Sequence, residues 1–344
     1  MRVVIFSTDR NILKPGTAVY KRQQAYAEYF ESYVVLVFSR RRHGLTAISL
    51  GESAHAYPAS MRTVIREARL ADIISTQDPF ETGFVAWVCS FIFKKALHVQ
   101  VHTDVFGPGY KAHHFLNRIR RLVAAFVLRR ASHIRVVSEG IREALQRQGI
   151  KTPSTVLPIF VDVHSFEKIP RLKHPQFKIS LLAIGRLESE KQFSLCIRAL
   201  KTIRNAHHDA GLTIIGTGSL KERLVREAKD AGLERFVLLV GEQPNIKYFL
   251  AQADLVLVSS RYEGYGMVTI EALAAGIPVL STPVGVGQEA GAMIAHEEEF
   301  ADAALRWIES GSRQATLKNY PYADFDEYVN RYCEDIATTK KPVA

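Results

Sequence analysis

Two carboxylates, Glu263 and Glu271, stand eight positions apart in the stretch SSRYEGYGMVTIEALAAGIPVLSTPV. Glu263 comes after the apolar run LVLV, which predicts a buried strand, and Glu271 falls on the helix expected after the turn. Gly264 and Gly266 permit a tight turn at which the backbone can approach a ligand closely. Ionised carboxylates accept hydrogen bonds from hydroxyl groups, and each such bond contributes about 1.5–3 kcal/mol. The pattern therefore indicates a ligand with several hydroxyl groups.

The start of that helix is a second binding element, because the helix is expected to run from about Met267 to Gly276. Backbone N–H groups at Gly266, Met267 and Val268 then have no partner within the helix and form a site for negative charge. Taken alone, Glu271 fits an ordinary helical charge at least as well. The glycine turn, the helix start and the two carboxylates together favour a ligand-binding site.

A pair of cations lies in the segment GRLESEK, directly after the apolar run 179–184. Arg186 can hold two phosphate oxygens with its planar guanidinium, and Lys191 adds a compact positive charge. Both fall just past the carboxyl end of a predicted strand, where ligands of α/β sheets bind. The alternative is local pairing, in which Glu188 or Glu190 neutralises one of the cations. The segment fits a diphosphate site and a local ion pair equally.

A histidine, His102, follows another apolar run in the segment QVHTD. A neutral imidazole at a strand end can donate a hydrogen bond to a ligand oxygen, and a structural histidine fits this segment equally well. Asp78, Glu81, His102 and Asp104 lack the compact spacing of metal ligands, so we expect no bound metal.

The tripeptide Gly216-Thr217-Gly218 follows the run 212–215. A single G-x-G is weak and fits a simple turn as well as a ligand contact. The sequence contains no G-x-x-x-x-G-K-[ST] and no complete G-x-G-x-x-G after its first strand. Walker-type nucleotidases and NAD enzymes are therefore disfavoured.

Short apolar runs alternate with helical segments along the whole chain. Strands are predicted at 3–6, 34–38, 73–74, 99–101, 134–137, 156–157, 179–184, 212–215, 236–240, 255–258 and 279–280. Helices are predicted at 19–30, 61–70, 82–95, 112–130, 141–148, 193–206, 220–231, 246–251, 267–275, 298–310 and 322–337. This alternation predicts an α/β fold with two Rossmann-like, doubly wound parallel sheets.

The segment 158–177 breaks the alternation with three prolines and a basic cluster, and we expect it to link two domains. The N-terminal domain then covers 1–157 and the second domain covers 178–320. Residues 321–344 are expected to form a helix and a tail that can pack back on the first domain. Two facing sheets would leave a cleft between the domains, where a substrate can be closed off from water.

The chain of 344 residues has a net charge of +10, which suits nucleic acid, an anionic membrane or a phosphate-bearing substrate. Zinc-finger spacing, an RNP-like aromatic motif and a lysine-rich tail are all lacking in the sequence, so nucleic acid is not expected. The three cysteines are scattered, which favours a reducing compartment. The start MRVVIFSTDR predicts a strand instead of a secretory leader, so we expect a cytoplasmic protein.

Residues 105–138 contain no acidic side chain, and the segment 111–130 combines basic and apolar residues at helical spacing. Such a helix suits the surface of an anionic membrane, and it equally fits a core-facing helix with a solvated basic face. The apolar run 84–93 is shorter than the roughly 20 residues that span a bilayer. We expect that run to form a buried helix.

These motifs resemble the retaining glycosyltransferases of family 4, which have the GT-B fold. The resemblance covers nearly the whole chain and is strongest at 179–284. EGYGMVTIE matches the family's E-x7-E motif, and GRLESEKQF matches its G-R-L-x-x-E-K segment. HTD, VVSEGIREAL and LPIFVDVHSF match weaker signposts in the first domain and the linker.

The resemblance implies a role for each matching residue. Glu271 would bind the ribose of the donor nucleotide, and Glu263 would contact donor-sugar hydroxyls near the reacting carbon. Arg186 and Lys191 would hold the diphosphate and stabilise the leaving nucleotide, which fits the family's general independence of metal. His102 would contact the donor sugar from the acceptor-side N-terminal domain. The remaining implied donor contacts come from Gly16, Gly241 with the base-pocket segment 241–246, Gly264, Tyr265, Gly266, Met267 and Val268.

Two segments depart from the family pattern. The loop DRNILKPGTAV has only Gly16 where many members carry paired glycines, and GVGQEAGAMIA after Val284 is short beside the family's longer stretch. These departures bear on the acceptor and donor contacts that each loop would make.

The expected function is retaining, hexosyltransferase-like transfer of a sugar from a UDP- or GDP-sugar, which is a substrate and not a cofactor. The acceptor would be a glycan or a lipid-linked molecule, in polysaccharide or glycolipid synthesis, with membrane contact through 111–130. The alternatives are a GT-B-fold epimerase or phosphorylase and a non-catalytic nucleotide-sugar-binding protein.

Overall fold

The computed structural model describes residues 1–39, 46–107, 110, 115–311 and 315–339. The chain divides into two compact units: unit 1 comprises Met1–Phe160 with Tyr322–Ala344, and unit 2 comprises Val161–Pro321. The division falls inside the segment 158–177, where we expected a linker. Phe177, the last residue of that segment, is buried.

Unit 1 is built on one sheet. Its strands are β1 (Arg2–Ser7), β2 (Ser32–Val37), β3 (Ile48–Gly51), β4 (Ala54–Pro58), β5 (Ile73–Thr76), β6 (Ala96–Val101), β7 (His133–Val136) and β8 (Ser154–Val156). Among the described residues the sheet has eight strands in the order β3-β4-β2-β1-β5-β6-β7-β8. The hydrophobic side chains of β1 and β2 are almost fully buried, as expected of strands covered on both faces.

The edge of this sheet differs from the prediction, because β3 pairs with β4 in the antiparallel direction. The sequence pattern missed both strands. Their run ISLGESAHAYP alternates small, polar and apolar residues and contains Gly51, so it lacks the continuous apolar character of the central strands. The first sheet is therefore mixed at one edge and parallel elsewhere.

Helices cover the strands of unit 1. They are α1 (Ala18–Ala27), α2 (Met61–Leu70), α3 (Glu81–Phe93), α4 (Phe115–Leu128) and α5 (Glu139–Arg147). Side chains at the helix starts explain two of these boundaries. The Thr17 hydroxyl accepts a hydrogen bond from the N–H of Tyr20, and Ser60 with Thr63 forms a reciprocal capping box.

The prediction that the run 84–93 forms a buried helix was wrong for one side of α3. Phe84, Phe91 and Ile92 are exposed, while Ala86 and Cys89 face the core. The run is apolar on all sides, so periodicity in the sequence carried no signal for which face would be covered.

Unit 2 repeats the α/β arrangement. Its strands are β9 (Ile179–Ile184), β10 (Ala210–Ile215), β11 (Val237–Gly241), β12 (Leu255–Val258), β13 (Val279–Ser281) and β14 (Met293–Ile294). Its helices are α6 (Phe193–Ala206), α7 (Lys221–Asp230), α8 (Ile246–Gln252), α9 (Met267–Ala274), α10 (Gly287–Ala290) and α11 (Phe300–Ser310). All neighbouring strands are parallel.

The strand order of unit 2 is β11-β10-β9-β12-β13-β14 among the described residues. Successive strands lie on one side of β9 and later strands on the other, so the winding reverses between β9 and β12. The carboxyl ends of strands at such a reversal are where ligands bind in open α/β sheets. The buried side chains of Leu181, Leu257 and Phe300 belong to the core that holds these strands in place.

Helix α12 (Phe325–Ala337) belongs to unit 1, although it lies at the far end of the chain. Asp335 on this helix lies 2.9 Å from His98 Nε2 and 3.0 Å from His133 Nε2. The Tyr332 hydroxyl accepts a hydrogen bond of 2.9 Å from Gln100. These buried polar groups lie along β6 and β7, so α12 satisfies hydrogen-bonding groups that the sheet would otherwise leave unpaired.

Candidate active site

Three loops meet at the carboxyl ends of β9, β10 and β11, and backbone hydrogen bonds tie them together. The N–H of Gly185 donates to Ile215 at 2.9 Å, and the N–H of Leu187 donates to Thr217 at 2.9 Å. The N–H of Gly216 donates to Gly241 at 2.8 Å. The segment that carries Arg186 is therefore hydrogen-bonded on both sides of Arg186 to the end of β10, which is bonded in turn to the end of β11.

The G-x-G pattern at 216–218 owes its glycines to this close approach. A Cβ atom on Gly216 would overlap the carbonyl oxygen of Gly185, and the φ of Gly216 is +139°. A Cβ atom on Gly218 would lie 2.5 Å from the carbonyl oxygen of Leu187. Of the two interpretations left open by the sequence, the structure supports a turn whose glycines admit the neighbouring loop.

Lys191 and Glu263 form an ion pair at the reversal between β9 and β12. Lys191 Nζ lies 2.5 Å from Glu263 Oε1, and the two side chains are 18% and 16% exposed. The hydroxyl of Ser260 donates to the same Oε1 atom at 2.7 Å. The Ser259 hydroxyl donates to the carbonyl oxygen of Lys191 at 2.7 Å, so two adjacent serines position both partners.

The residue after Lys191 has an unusual backbone conformation. Gln192 adopts φ +49° and ψ 43°, in the left-handed region that side chains with a Cβ rarely occupy. It stands between the 3₁₀ turn Ser189–Lys191 and the start of α6. Uncommon backbone conformations concentrate at functional sites, and this one lies next to the cation of the pair.

Arg186 adopts the local pairing that the sequence left open. Its Nη2 atom lies 2.7 Å from Glu190 Oε1, and its side chain is 74% exposed while that of Glu190 is 8% exposed. The backbone carbonyl of Glu190 accepts a hydrogen bond from the N–H of Arg261 at 2.8 Å, which anchors the glutamate to the loop after β12. Glu190 thus holds an exposed guanidinium next to the loop after β12.

Helix α9 begins where the sequence predicted, at Met267. Gly266 precedes it with φ +94°, a conformation that glycine adopts without strain. Among the described residues no side chain caps this helix start, so the first amides, including those of Met267 and Val268, point out of the helix as donors. An anion placed there would gain from these amides and from the helix dipole.

Glu271 lies on α9 and is partly buried. Burial raises the pKa of its carboxyl group from 4.5 to about 7. Near neutral pH the protonated and ionised forms of this carboxyl group are therefore both populated. A ligand that donates hydrogen bonds to the carboxyl group would favour the ionised form. Titratable groups with such shifted pKa values are candidates for functional residues.

The ring of Tyr265 is buried. Any contact of this residue with a nucleotide-sugar donor would therefore involve its backbone. Its carbonyl oxygen accepts a hydrogen bond of 2.9 Å from the N–H of Val286. A Cβ atom on Gly285 would overlap that same carbonyl oxygen. Gly285 therefore lets the loop after β13 close against the turn at Glu263, a role that sequence reasoning missed although Gly285 stands in the quoted GVG segment.

Two predicted site residues, His102 and Gly16, belong to unit 1. His102 directly follows β6 and is partly buried. Burial, together with the charges of Arg135 and Arg22, lowers the pKa of His102 to about 3, so its ring is neutral at physiological pH. Gly16 has φ +84° in the loop after β1, with open space where a Cβ would stand. Asp104 is used locally, because its carboxylate accepts hydrogen bonds from the N–H groups of Phe106 and Gly107.

The described residues contain neither a group of metal ligands nor a helix that could span a membrane. No three His, Cys, Asp or Glu side chains in the described ranges are grouped so that they could hold a metal ion. In that same part of the chain, every helix is too short or too polar to cross a bilayer.

Comparison with known protein families assigns both units. The model of glycosyl transferases group 1 matches residues 165–323, and the model of the glycosyl transferase 4-like domain matches residues 13–159. Glycogen synthase of Mycobacterium tuberculosis is 36% identical over 107 residues, which cover 30% of this chain and 26% of that protein. A second protein of that species, a GDP-mannose-dependent alpha-(1-6)-phosphatidylinositol dimannoside mannosyltransferase, is 32% identical over 147 residues. That alignment covers 40% of this chain and 38% of the mannosyltransferase, so each match spans well under half of the relative's length.

Solved structures extend the likeness to the whole chain. Anabaena Alr3699/HepE in complex with UDP has a TM-score of 0.70 and 18% sequence identity, with 98% of this chain and 95% of that chain covered. HepE has also been solved in complex with UDP-glucose. This likeness establishes the fold. With matched family domains at 13–159 and 165–323, the chain belongs to the GT-B glycosyltransferases of the group 1 and family 4 type.

Proposed function

We propose that the protein is a retaining glycosyltransferase that moves a hexose from a nucleotide-diphosphate sugar to a glycan or lipid-linked acceptor. The observation that carries this proposal is the shielded Lys191–Glu263 pair at the winding reversal of unit 2, beside the uncapped start of α9. A cation, free amides and a carboxylate at one strand edge match a ligand that carries both phosphate and hydroxyl groups. The UDP-glucose complex of HepE supports a ligand of this class.

Different residues of unit 2 are proposed to contact different parts of the nucleotide-sugar donor. We assign the ribose to Glu271, the donor-sugar hydroxyls to Glu263 and the diphosphate to Arg186 and Lys191. The amides of Gly264, Gly266, Met267 and Val268 would contribute further donor contacts, and Gly241 begins the segment 241–246 that would line the base pocket. From unit 1, His102 is the proposed donor-sugar contact, and Gly16 is a proposed contact of the loop after β1.

The group transfer requires a stabilised leaving group. The bond between the anomeric carbon and the diphosphate oxygen breaks, and its electron pair passes to the diphosphate. The acceptor hydroxyl oxygen forms the new bond to that carbon, and its proton leaves with the released nucleotide. Fixed positive charge near the departing oxygen lowers the barrier, and Arg186 and Lys191 supply that charge without a metal ion or another cofactor.

We further propose that the protein works in the cytoplasm, at the inner face of the cell membrane, in polysaccharide or glycolipid synthesis. The support is the mannosyltransferase relative, whose name includes a phosphatidylinositol dimannoside, and the basic segment 111–130. Within the described part of that segment, Arg118, Arg129 and Arg130 are exposed. Basic side chains near an anionic leaflet contribute about 1 kcal/mol each to binding.

The test begins with a thermal-shift screen of UDP- and GDP-sugars, because a ligand that binds only the folded state raises the melting temperature. The sugar that binds is then incubated with glycan and lipid-linked acceptors in the presence of a chelator, and the anomeric configuration of the product is read by NMR. A product of unchanged configuration is expected. An altered donor without any acceptor would indicate an epimerase, phosphate-dependent cleavage would indicate a phosphorylase, and binding without chemistry would indicate a non-catalytic protein.

A further inference from the structure

Helix α3 presents an aromatic edge that the fold leaves uncovered. Phe91 and Ile92 are 73% and 61% exposed, and Phe84, about two turns earlier on the same helix, is also exposed. Trp87 connects them, because its ring centroid lies 5.5 Å from that of Phe84 and 6.0 Å from that of Phe91. Exposed large apolar side chains that form a continuous patch mark interaction sites.

Helix α4 continues the same surface. Leu116, Ile119 and Leu122 are exposed on it, and Leu122 is 73% exposed. A groove of about 310 Å³ separates the two helices, and its apolar walls are formed by Phe80, Phe84, Ile119 and Val123. Trp87 also meets α4, with its ring edge-on to Phe126 at 4.6 Å. We call the exposed residues of α3 and α4 together with this groove the α3–α4 surface.

The charges around the α3–α4 surface are almost all positive. Lys94 at the end of α3 and Arg118 on α4 are exposed beside the apolar side chains. The acidic Glu81 is paired with Arg120 at 2.8 Å on the rim of the groove. Residues 105–138, which include α4, contain no acidic side chain. An apolar centre with a cationic rim complements an anionic lipid surface and would repel a second copy of itself.

We propose that the α3–α4 surface docks on a bilayer that contains anionic phospholipid, with Phe91, Ile92 and Leu122 entering the boundary between headgroups and acyl chains. The basic residues supply long-range attraction, which salt screens, and the inserted side chains supply a contribution that salt does not remove. This inference rests on the proposed membrane location and adds α3 and the insertion of apolar side chains to it.

The chain provides its own probe for insertion. Trp87 lies in the middle of the α3–α4 surface, while the second tryptophan, Trp307, is buried in the core of unit 2. In the Trp307→Phe background, Trp87 fluorescence should shift to shorter wavelength when vesicles of phosphatidylcholine with phosphatidylglycerol are added. Brominated acyl chains in those vesicles should quench it. Vesicles of phosphatidylcholine alone should have little effect.

Substitutions separate insertion from charge attraction. Phe91→Ser with Ile92→Ser should lower the partition coefficient at high salt about tenfold or more, because two large apolar side chains no longer leave water. Val225→Ser, which changes a side chain of 49% exposure in unit 2, is the matched control and should leave partition unchanged. Both variants should keep the donor-induced thermal shift, which reports on the proposed sugar-transfer site independently.

Binding without quenching of Trp87 would show that contact is by charge alone and would overturn the inference. If Phe91→Ser with Ile92→Ser leaves the partition coefficient unchanged, and ultracentrifugation shows a concentration-dependent dimer, then a second copy of the chain covers this surface. Absence of binding to every vesicle, with the donor-induced shift intact, would reject membrane docking and leave sugar transfer standing.

Discussion

Lys191 Nζ lies 2.5 Å from Glu263 Oε1, so the shielded cation and the shielded carboxylate of the candidate site are partners of each other. Each half of the pair is one of the two charges that a nucleotide-diphosphate sugar would need, because the sugar offers hydroxyl donors and the diphosphate offers acceptors. Donor binding is therefore expected to separate the pair.

Replacement of Lys191 by methionine should remove diphosphate stabilisation. We expect kcat to fall about 10²–10³-fold, as when one group that stabilises developing charge is lost. Lys178→Met is the matched control, since it breaks another lysine–carboxylate pair of unit 2, 2.7 Å from Asp209, at an exposed position. Steady-state kinetics with the donor found by thermal shift make the comparison. Equal losses in both variants would show that Lys191 has no special role.

Removal of the Ser260 hydroxyl should reveal its action on Glu263. Ser260→Ala loses the 2.7 Å hydrogen bond to Oε1, so the carboxylate keeps its contact with Lys191 but loses a second constraint on its orientation. We expect kcat to fall about tenfold with KM for the donor little changed, and Ser260→Thr to restore most of the loss. A rise in KM together with a fall in kcat, without rescue by threonine, would assign Ser260 to local folding instead.

Nucleotide binding should depend on pH through Glu271. The pKa of its carboxyl group is raised to about 7, and ribose hydroxyls donate to the ionised form. Affinity for the nucleotide, measured by calorimetry, should therefore rise from pH 6 to pH 8 by up to about tenfold. Glu271→Gln should bind more weakly at pH 8 and lose this dependence. A wild-type affinity independent of pH would contradict the ribose assignment.

The same raised pKa also makes stability depend on pH. The free energy of unfolding falls as pH rises, whereas the affinity for the nucleotide rises. Between pH 4.5 and about 7 the folded protein binds more protons at Glu271 than the unfolded chain does, so the free energy of unfolding falls as pH rises through that window. Above pH 7 the penalty is complete. Glu271→Gln should therefore gain about 1–2 kcal/mol over the wild type at pH 8 and nothing near pH 4, as measured by urea unfolding. A constant difference across this range would show that the carboxyl group is not desolvated.

A methyl group at Gly216 should disturb the loops at the strand ends. It would overlap the carbonyl oxygen of Gly185 and require a backbone shift, so Gly216→Ala should cost about 2–4 kcal/mol of unfolding free energy. Gly232→Ala provides the control, because Gly232 has φ +72° and open space around it, where only about 1 kcal/mol is expected. Similar costs at the two glycines would mean that the loop contact contributes little.

Periodic elements could be predicted from the sequence almost to the residue. Helix α2 spans Met61–Leu70 and α6 spans Phe193–Ala206, as their apolar spacing indicated. Strands β3 and β4 could not be found, because edge strands lack a continuous apolar run. The prediction that the run 84–93 is buried was wrong for a related reason: a helix that is apolar on every side carries no periodic signal for its covered face.

The residue types of the candidate site were readable from the sequence, but their partners were not. Arg186 pairs with Glu190, four positions away, which spacing alone had allowed. Lys191 pairs with Glu263, which lies on a different loop 72 positions away, so only the order of β9 and β12 in the sheet brings the two together. Gly285 is likewise explained only by the carbonyl oxygen of Tyr265 that lies against it.

The attachment of α12 to unit 1 has a consequence for biosynthesis. During translation the strands of unit 1 emerge first, and their buried Gln100 and His98 must wait for Tyr332 and Asp335 at the far end of the chain. Unit 2 is continuous in sequence, whereas unit 1 takes residues from both sides of it. Unit 1 can therefore complete these hydrogen bonds only after α12 has been synthesised and has left the ribosome. A stop codon before Phe325 would leave the first half permanently unfinished.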